Sequence, residues 1–254
     1  MIIRLFVDDA LAAGARVALS ADQSRYLRTV MRRGPGDALK IFNARDGEFD
    51  ATLDTVGKKD AAAALGDRSR APPALRDLEL LFAPVKRAAV EMIVQKGAEL
   101  GVTQFAPVVT ARTNAARLNV DRLVAIAIEA TEQCGRLDPP RVSAPQPLTS
   151  ALDAAPADRL IVFADEAGDD PNAPWGGEAG RAAPMLQSLA ERAPPPAGAS
   201  ILIGPEGGFT PAERAALRAR DSVAAVTLGP RILRADTAAI AALSLWQAAC
   251  GDWR

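Results

Sequence analysis

The stretch that decides the fold runs Ile201-Leu202-Ile203-Gly204-Pro205-Glu206-Gly207-Gly208-Phe209-Thr210-Pro211-Ala212-Glu213. A short, wholly apolar run enters a glycine-rich turn and then a marked helix start. Thr210 suits the N-cap, Pro211 the first helical position, and Glu213 completes a capping box. Three glycines at 204, 207 and 208 permit positive φ and close approach of a ligand to backbone. Such a loop belongs at the carboxyl end of a buried parallel strand, where α/β sheets hold ligands. A plain strand-to-helix turn fits the composition equally well.

Moving outward, Val226-Thr227-Leu228-Gly229-Pro230-Arg231-Ile232-Leu233-Arg234-Ala235-Asp236-Thr237 repeats the pattern of strand, Gly-Pro turn and helix. Asp236 or Thr237 reads as an ordinary cap and the arginines as solvated. The apolar pair Ile232-Leu233 asks for more, since a loop has little use for apolar side chains unless they line a pocket. Upstream, strands are expected at Leu78–Ala83, Thr103–Val109, Arg159–Ala164, Ser200–Ile203 and Ala224–Leu228. Helices are expected at Lys86–Leu100, Val120–Gly135 and Thr237–Cys250. Strands alternating with helices predict an α/β domain with a mostly parallel sheet. The polar, Gly/Pro-rich run Asp165–Pro184 reads as an inserted loop.

Ahead of residue 73 the pattern differs. Ala15–Leu19, Ala38–Phe42 and the alternating Glu48–Val56 read as strands, with turns at Gly34-Pro35-Gly36-Asp37 and Arg45-Asp46-Gly47. They predict a small barrel-like β domain over 1–72, joined by a polar linker at Asp67–Pro73 to a second domain over 73–254. If Ser24–Arg33 is helical, Arg25, Arg28 and Arg32 share one face, with Leu27, Val30 and Met31 packing inward. That stripe is either a phosphate-binding footprint or a solvated face. On the two central helices, Lys96, Glu99, Glu129, Gln133 and Arg136 form either an ion-pair network or a substrate-facing surface.

Composition narrows the function. Thirty Lys and Arg against 31 Asp and Glu leave a net charge of -1, so any nucleic-acid contact must come from local patches. Two distant cysteines, Cys134 and Cys250, imply no disulfide framework, and no apolar run would span a membrane. Met1–Asp9 carries acid where a secretory segment would stay apolar, so a cytoplasmic location is expected. The chain has no histidine, which excludes His triads and His-ligated metals and removes the commonest general base. No metal site is expected. Neither a Walker lysine nor G-x-G-x-x-G is present, which argues against a nucleotide-binding α/β enzyme.

Taken together the segments resemble the bacterial 16S ribosomal RNA uridine N3-methyltransferases (the ribosomal RNA small subunit methyltransferase E family), of the SPOUT class. Gly204–Phe209 and Leu228–Arg234 are the most specific marks. Gln95-Lys96 with Glu99-Leu100-Gly101-Val102, and Glu129-Ala130 with Gln133 and Arg136, also match. Arg4-Leu5-Phe6-Val7 and Gly36-Asp37 look like the family's PUA-like RNA-binding domain. Three places depart from the pattern: Ala235-Asp236-Thr237 replaces Thr-Glu-Thr, Ser24-Arg25-Tyr26 stands where histidines are usual, and Arg122-Leu123 replaces Arg-Trp.

The resemblance implies an α/β fold: a SPOUT-type, trefoil-knotted methyltransferase domain behind an N-terminal PUA-like β-barrel, acting as a homodimer on 16S ribosomal RNA or the small ribosomal subunit. It implies S-adenosylmethionine held by Leu202, Gly204, Pro205, Glu206, Gly207, Gly208, Leu228, Gly229, Arg231, Ile232, Leu233 and Thr237. RNA would meet Arg25, Arg28, Arg32, Arg33, Lys86 and Arg136. Methylating N3 requires loss of its proton, so Arg231 or Arg234 would stabilise the resulting charge and Asp236 or Glu206 would accept the proton. The competing expectation is a non-catalytic RNA-binding ribosome-assembly protein with a degenerate methyltransferase fold.

Overall fold

The computed structural model describes residues 2–58, 60–74, 77–114, 118–165, 182–192 and 198–253. The chain divides into two units, Met1–Leu75 with Ile128–Pro139, and Arg76–Ala127 with Pro140–Arg254. The division adds 128–139 to the N-terminal unit, a return of the chain that the sequence reading did not include.

In the first unit β1 (Arg4–Phe6), β2 (Arg16–Leu19), β3 (Ala38–Asn43), β4 (Gly47–Val56) and β5 (Ala61–Arg70) form a sheet of order β1-β3-β4-β5-β2. Strands β1 and β2 stay unpaired with each other, so the expected barrel is an open half-barrel. Register shifts between β4 and β5 supply its bend. The core is Leu5, Leu27, Leu39, Ile41, Leu53 and Ala63.

Two expectations change here. The stretch Asp67–Arg70 is not linker: it continues β5, pairing Arg68 with Phe49 and Arg70 with Glu48. Ser24–Arg33 is not one α-helix. Helix α1 (Ala21–Arg25) passes into a π-helical turn at Tyr26–Val30, closed by Met31 N donating to Tyr26 O at 3.0 Å. The wider turn breaks the 3.6-residue spacing. Leu27 is buried and Met31 partly so, but Val30 is 65% exposed instead of packed inward. Arg32 lies beyond the helix at φ +52°, so it does not continue a helical stripe with Arg25 and Arg28.

Arg4 accounts for the returning segment. Helix α3 (Val120–Cys134) ends in carbonyls without intrahelical donors. Arg4 donates to the carbonyls of Thr131, Glu132 and Arg136 while its Nε meets Glu48 at 2.6 Å. Its guanidinium also stacks 4.3 Å from the Phe42 ring centroid.

The second unit is built on a parallel sheet. Its strands are β6 (Asp77–Phe82), β7 (Gln104–Val109), β8 (Arg141–Val142), β10 (Leu160–Ala164), β11 (Ala183–Pro184), β12 (Gly198–Ile203) and β13 (Val223–Thr227). They lie in the order β11-β13-β10-β12-β6-β7-β8, and β9 (Gln146–Pro147) also pairs with β7. Both faces are covered, which is why the strands read as unbroken apolar runs. Leu80, Phe82, Ile201 and Ile203 face α2 (Arg87–Glu99), α5 (Met185–Ala190) and α7 (Ala235–Ala249). Leu81, Phe163 and Leu202 face α4 (Leu148–Ala154) and α6 (Pro211–Arg218).

Most of the expected loop at 165–184 lies outside the described residues; Ala183–Pro184 add the edge strand β11. Among the described residues no helix is long and apolar enough to cross a membrane.

Candidate functional site

Because β6, β7, β10, β12 and β13 run parallel, their carboxyl ends share one edge of the sheet. The loop after β12 (204–210) and the loop after β13 (228–234) emerge there, separated by the end of β10. Two strand spacings place their roots about 10 Å apart.

The first loop is tightly built. Gly208 N donates to Pro205 O at 2.9 Å, and Gly208 takes φ +64°. Phe209 folds its ring onto Gly204, where a Cβ would sit 2.5 Å from the ring, and meets Phe163 edge-on at 5.0 Å. Gly204 is thus required by packing rather than by open space. Thr210 caps α6 as the sequence predicts: its hydroxyl accepts from Glu213 N at 3.2 Å, and Glu213 accepts from Thr210 N at 2.8 Å. The other carboxylate oxygen of Glu213 accepts from Ala111 N at 2.7 Å. Burial pushes the Glu213 carboxyl up. The hydrogen bonds from Ala111 and Thr210 and the charge of Arg112 outweigh that and hold it below its ordinary value. Glu206 and Gly207 stand exposed at the loop tip, and Glu206 has no side-chain partner among the described residues.

The second loop is more open. Thr227 Oγ1 accepts from Gly229 N at 3.3 Å and donates to Gly229 O at 3.1 Å. Gly229 takes φ +121°, with no atom within 4 Å of where a Cβ would be. Leu228 and Leu233 rest on the core, whereas Ile232 is 85% exposed. Arg231 and Arg234 are exposed and have no side-chain partner among the described residues. Asp236 stands in the first turn of α7 and accepts from Thr237 N at 2.8 Å.

Between the loops sits a residue the sequence reading assigned only to a loop. Asp165 follows β10, is 4% exposed, and pairs with two arginines one helical turn apart on α6. Arg214 donates to its two oxygens at 2.9 and 3.2 Å, and Arg218 donates at 2.9 and 2.7 Å. This ties α6, and so the first loop, to the end of β10. An acid directly after an apolar strand, matched by arginines spaced i and i+4, was the signal in the sequence. Arg112 was missed altogether. It donates to Gly207 O at 2.9 Å and Phe209 O at 3.4 Å.

The structure thus brings Gly204, Pro205, Glu206, Gly207, Gly208, Leu228, Gly229, Arg231, Ile232, Leu233, Arg234, Asp236 and Thr237 to one edge, with exposed Lys86 at the end of β6. Leu202 lies one turn of strand below, its side chain wholly within the core. Arg25, Arg28, Arg32, Arg33 and Arg136 belong to the other unit. There Arg25 pairs with Asp22, Arg33 lies 3.9 Å from Asp37, and Arg136 is largely covered and paired with Asp138. Only Arg28 and Arg32 of that set are exposed without a side-chain partner among the described residues.

Comparison with known proteins gives this edge a family. An RNA methyltransferase domain profile matches residues 72–247, and an RNA methyltransferase PUA domain profile matches residues 19–65. The ribosomal RNA small subunit methyltransferase E of Rickettsia conorii is 30% identical, covering 95% of this chain and 93% of that protein. The Bacillus subtilis protein of the same name is 31% identical over 89% and 88%. The crystal structure of a ribosomal RNA small subunit methyltransferase E from Neisseria gonorrhoeae bound to S-adenosyl methionine superposes over 100% of both chains, with TM-score 0.82 and 29% identity. A Legionella pneumophila methyltransferase in complex with the same cofactor gives TM-score 0.82 at 27% identity, over 98% of each chain. The α/β, SPOUT-type fold class expected from the sequence holds, as does the PUA-like N-terminal domain. The chain therefore belongs to the RNA methyltransferase family and carries both its PUA domain and its methyltransferase domain.

Proposed function

We propose that this enzyme methylates N3 of a uridine in 16S ribosomal RNA of the small subunit. It would work in the cytoplasm as a homodimer and take the methyl group from S-adenosylmethionine held between the 204–210 and 228–234 loops. The observation that carries the site is the open second loop: an almost fully exposed Ile232, a glycine with no described atom over it, and two arginines without a side-chain partner among the described residues, at the carboxyl edge of a parallel sheet. An apolar side chain left in solvent beside bare backbone suits a flat, partly apolar ligand. The first loop adds donors, since the N–H groups of Gly207 and Phe209 have no acceptor among the described residues. The relatives solved with S-adenosylmethionine support the same reading.

S-adenosylmethionine supplies an already activated methyl group. The chain must then orient uracil and manage one proton. Arg231 and Arg234, free of carboxylate partners, would stabilise the negative charge left on N3 and its flanking carbonyls. Asp165 and Glu213 already accept from several donors and are unsuited to take that proton. Asp236 has one oxygen engaged by Thr237 N, and Glu206 has neither engaged among the described residues. Glu206 is therefore the better proton acceptor. In the PUA domain, Arg25, Arg28 and Arg32 would hold RNA phosphates, with Arg33 and Arg136 of that unit and Lys86 of the second unit as further cationic contacts. The strand order β13-β10-β12-β6-β7, with α7 packed back on β12 and α2, supports the trefoil threading that the resemblance implies.

The test is single-turnover methyl transfer to ribosomal RNA, with mass mapping of the product nucleoside. Arg234→Ala should slow transfer about 100-fold at saturating RNA and cofactor. Methyl on any atom other than uridine N3 overturns the assignment of the reaction, and a normal rate in Arg234→Ala overturns the assignment of the residue. Sedimentation at micromolar concentration checks the dimer.

A further inference from the structure

We infer that Arg112 is a positioning residue for the cofactor loop, and that the turn Thr110–Thr113 is the arm that carries it. The inference rests on the reading that the cofactor lies against residues 204–210.

The arm starts at the end of β7, two strands away from β12, so it crosses the carboxyl end of β6 to reach the loop. It is braced from within. Thr110 N donates to Thr113 Oγ1 at 2.8 Å, the two threonine hydroxyls meet at 2.8 Å, and Thr113 N donates to Thr110 O at 3.1 Å. A turn tied this way can hold a neighbour in place.

The arm makes two kinds of contact with the loop. Ala111 N reaches the Glu213 carboxylate, so the acid that closes the α6 cap also fastens the arm. One nitrogen of Arg112 donates to the carbonyls of Gly207 and Phe209, and the stem of Arg112 lies flat on Gly207, where an added Cβ would sit 3.4 Å from Arg112 Cβ.

Fixing those two carbonyls orients the 207–208 and 209–210 peptide planes. The N–H ends of those planes are bound internally, to Pro205 O and to Glu213. With both planes held, the 208–209 peptide between them is constrained too, and neither the Phe209 N–H nor the Gly207 N–H has an acceptor among the described residues. These are the donors a ligand carboxylate or ring nitrogen would use. Arg112 itself is exposed, so its removal should loosen the loop without unfolding the domain.

Titration calorimetry with S-adenosylmethionine on Arg112→Ala, Arg112→Lys and Ile232→Asp tests this, with thermal midpoints as a folding check. Arg112→Ala should weaken cofactor binding about tenfold, the effect of losing charge-assisted hydrogen bonds. It should raise KM for the cofactor and leave kcat at saturation within about twofold, with a midpoint close to the parent's; Arg112→Lys should recover part of the affinity. If Arg112→Ala binds normally while Ile232→Asp loses affinity, the site stands and the clamp falls. If neither change alters binding, the cofactor lies elsewhere and both readings fall. An equal loss of kcat and affinity that lysine does not restore overturns the positioning role.

Discussion

At the residue scale, the candidate site is stiffened by acids held in several hydrogen bonds each. Asp165 is buried between two guanidinium groups, and removing one member of such a cluster leaves charge buried without a counterion. Asp165→Ala should therefore cost about 3–5 kcal/mol of stability, read from urea unfolding, because Arg214 is itself buried. Asp165→Asn, which keeps the shape and one accepting oxygen, should cost less. A loss below about 1 kcal/mol in the alanine variant would mean that the arginines find water instead. The exposed residues of the candidate site were legible as neighbours in the sequence, because Glu206, Arg231, Ile232 and Arg234 lie within a few residues of a glycine turn whose position periodicity fixes. Asp165 and Arg112 were not. Their partners stand 49 and 95 residues away, and only the sheet order brings them together.

At the element scale, regular periodicity was a good guide and its interruptions were not. Helix α2 and strand β12 fall where their apolar spacing puts them. The first half of β5 reads Ala61-Ala62-Ala63-Ala64, a run that favours helix by propensity, yet it pairs with both β4 and β2. Tertiary pairing overrides propensity there, and small side chains allow it: Ala63 is fully buried. The π-helical turn was equally invisible, since one inserted residue shifts every later side chain without changing the composition. Helix α2 offers a test of packing against propensity. A Cβ on Gly97 would lie 2.6 Å from the wholly buried ring of Phe105. Gly97→Ala gains about 1 kcal/mol of helix propensity but overpacks the seam between α2 and β7 at a cost of about 1–3 kcal/mol. The variant should be less stable than the parent by denaturant unfolding; a more stable one would show that the ring can move aside.

At the scale of the whole molecule, the carboxylates pull stability in opposite directions as pH changes. The hydrogen bond from Arg159 holds Asp77 below its ordinary value, and Glu213 is held low as described. Their contributions are present above the unfolded value and are lost as pH falls through the lower folded one. Glu132 is the opposite case. Burial and the neighbouring Glu129 charge raise it from 4.5 to about 7, against the Phe6 hydrogen bond and Arg4. Folding therefore favours its protonated form. It exacts no penalty below pH 4.5, an increasing one from there to about 7, and the full penalty above, on the order of 3 kcal/mol. Thermal midpoints should peak near about pH 5 and decline towards 7. Glu132→Gln, which stays neutral and can still accept from Phe6 N, should abolish the decline; a parallel decline in the variant would assign it to another group. The sheet order has a consequence of a different kind, in time. Strand β12, at residues 198–203, lies between β6 and β10, both made earlier, so the middle of the sheet is synthesised after its flanks. Strands β6 and β7 must wait, apolar on both faces, until the chain has left the ribosome past β12, more than a hundred residues after β6.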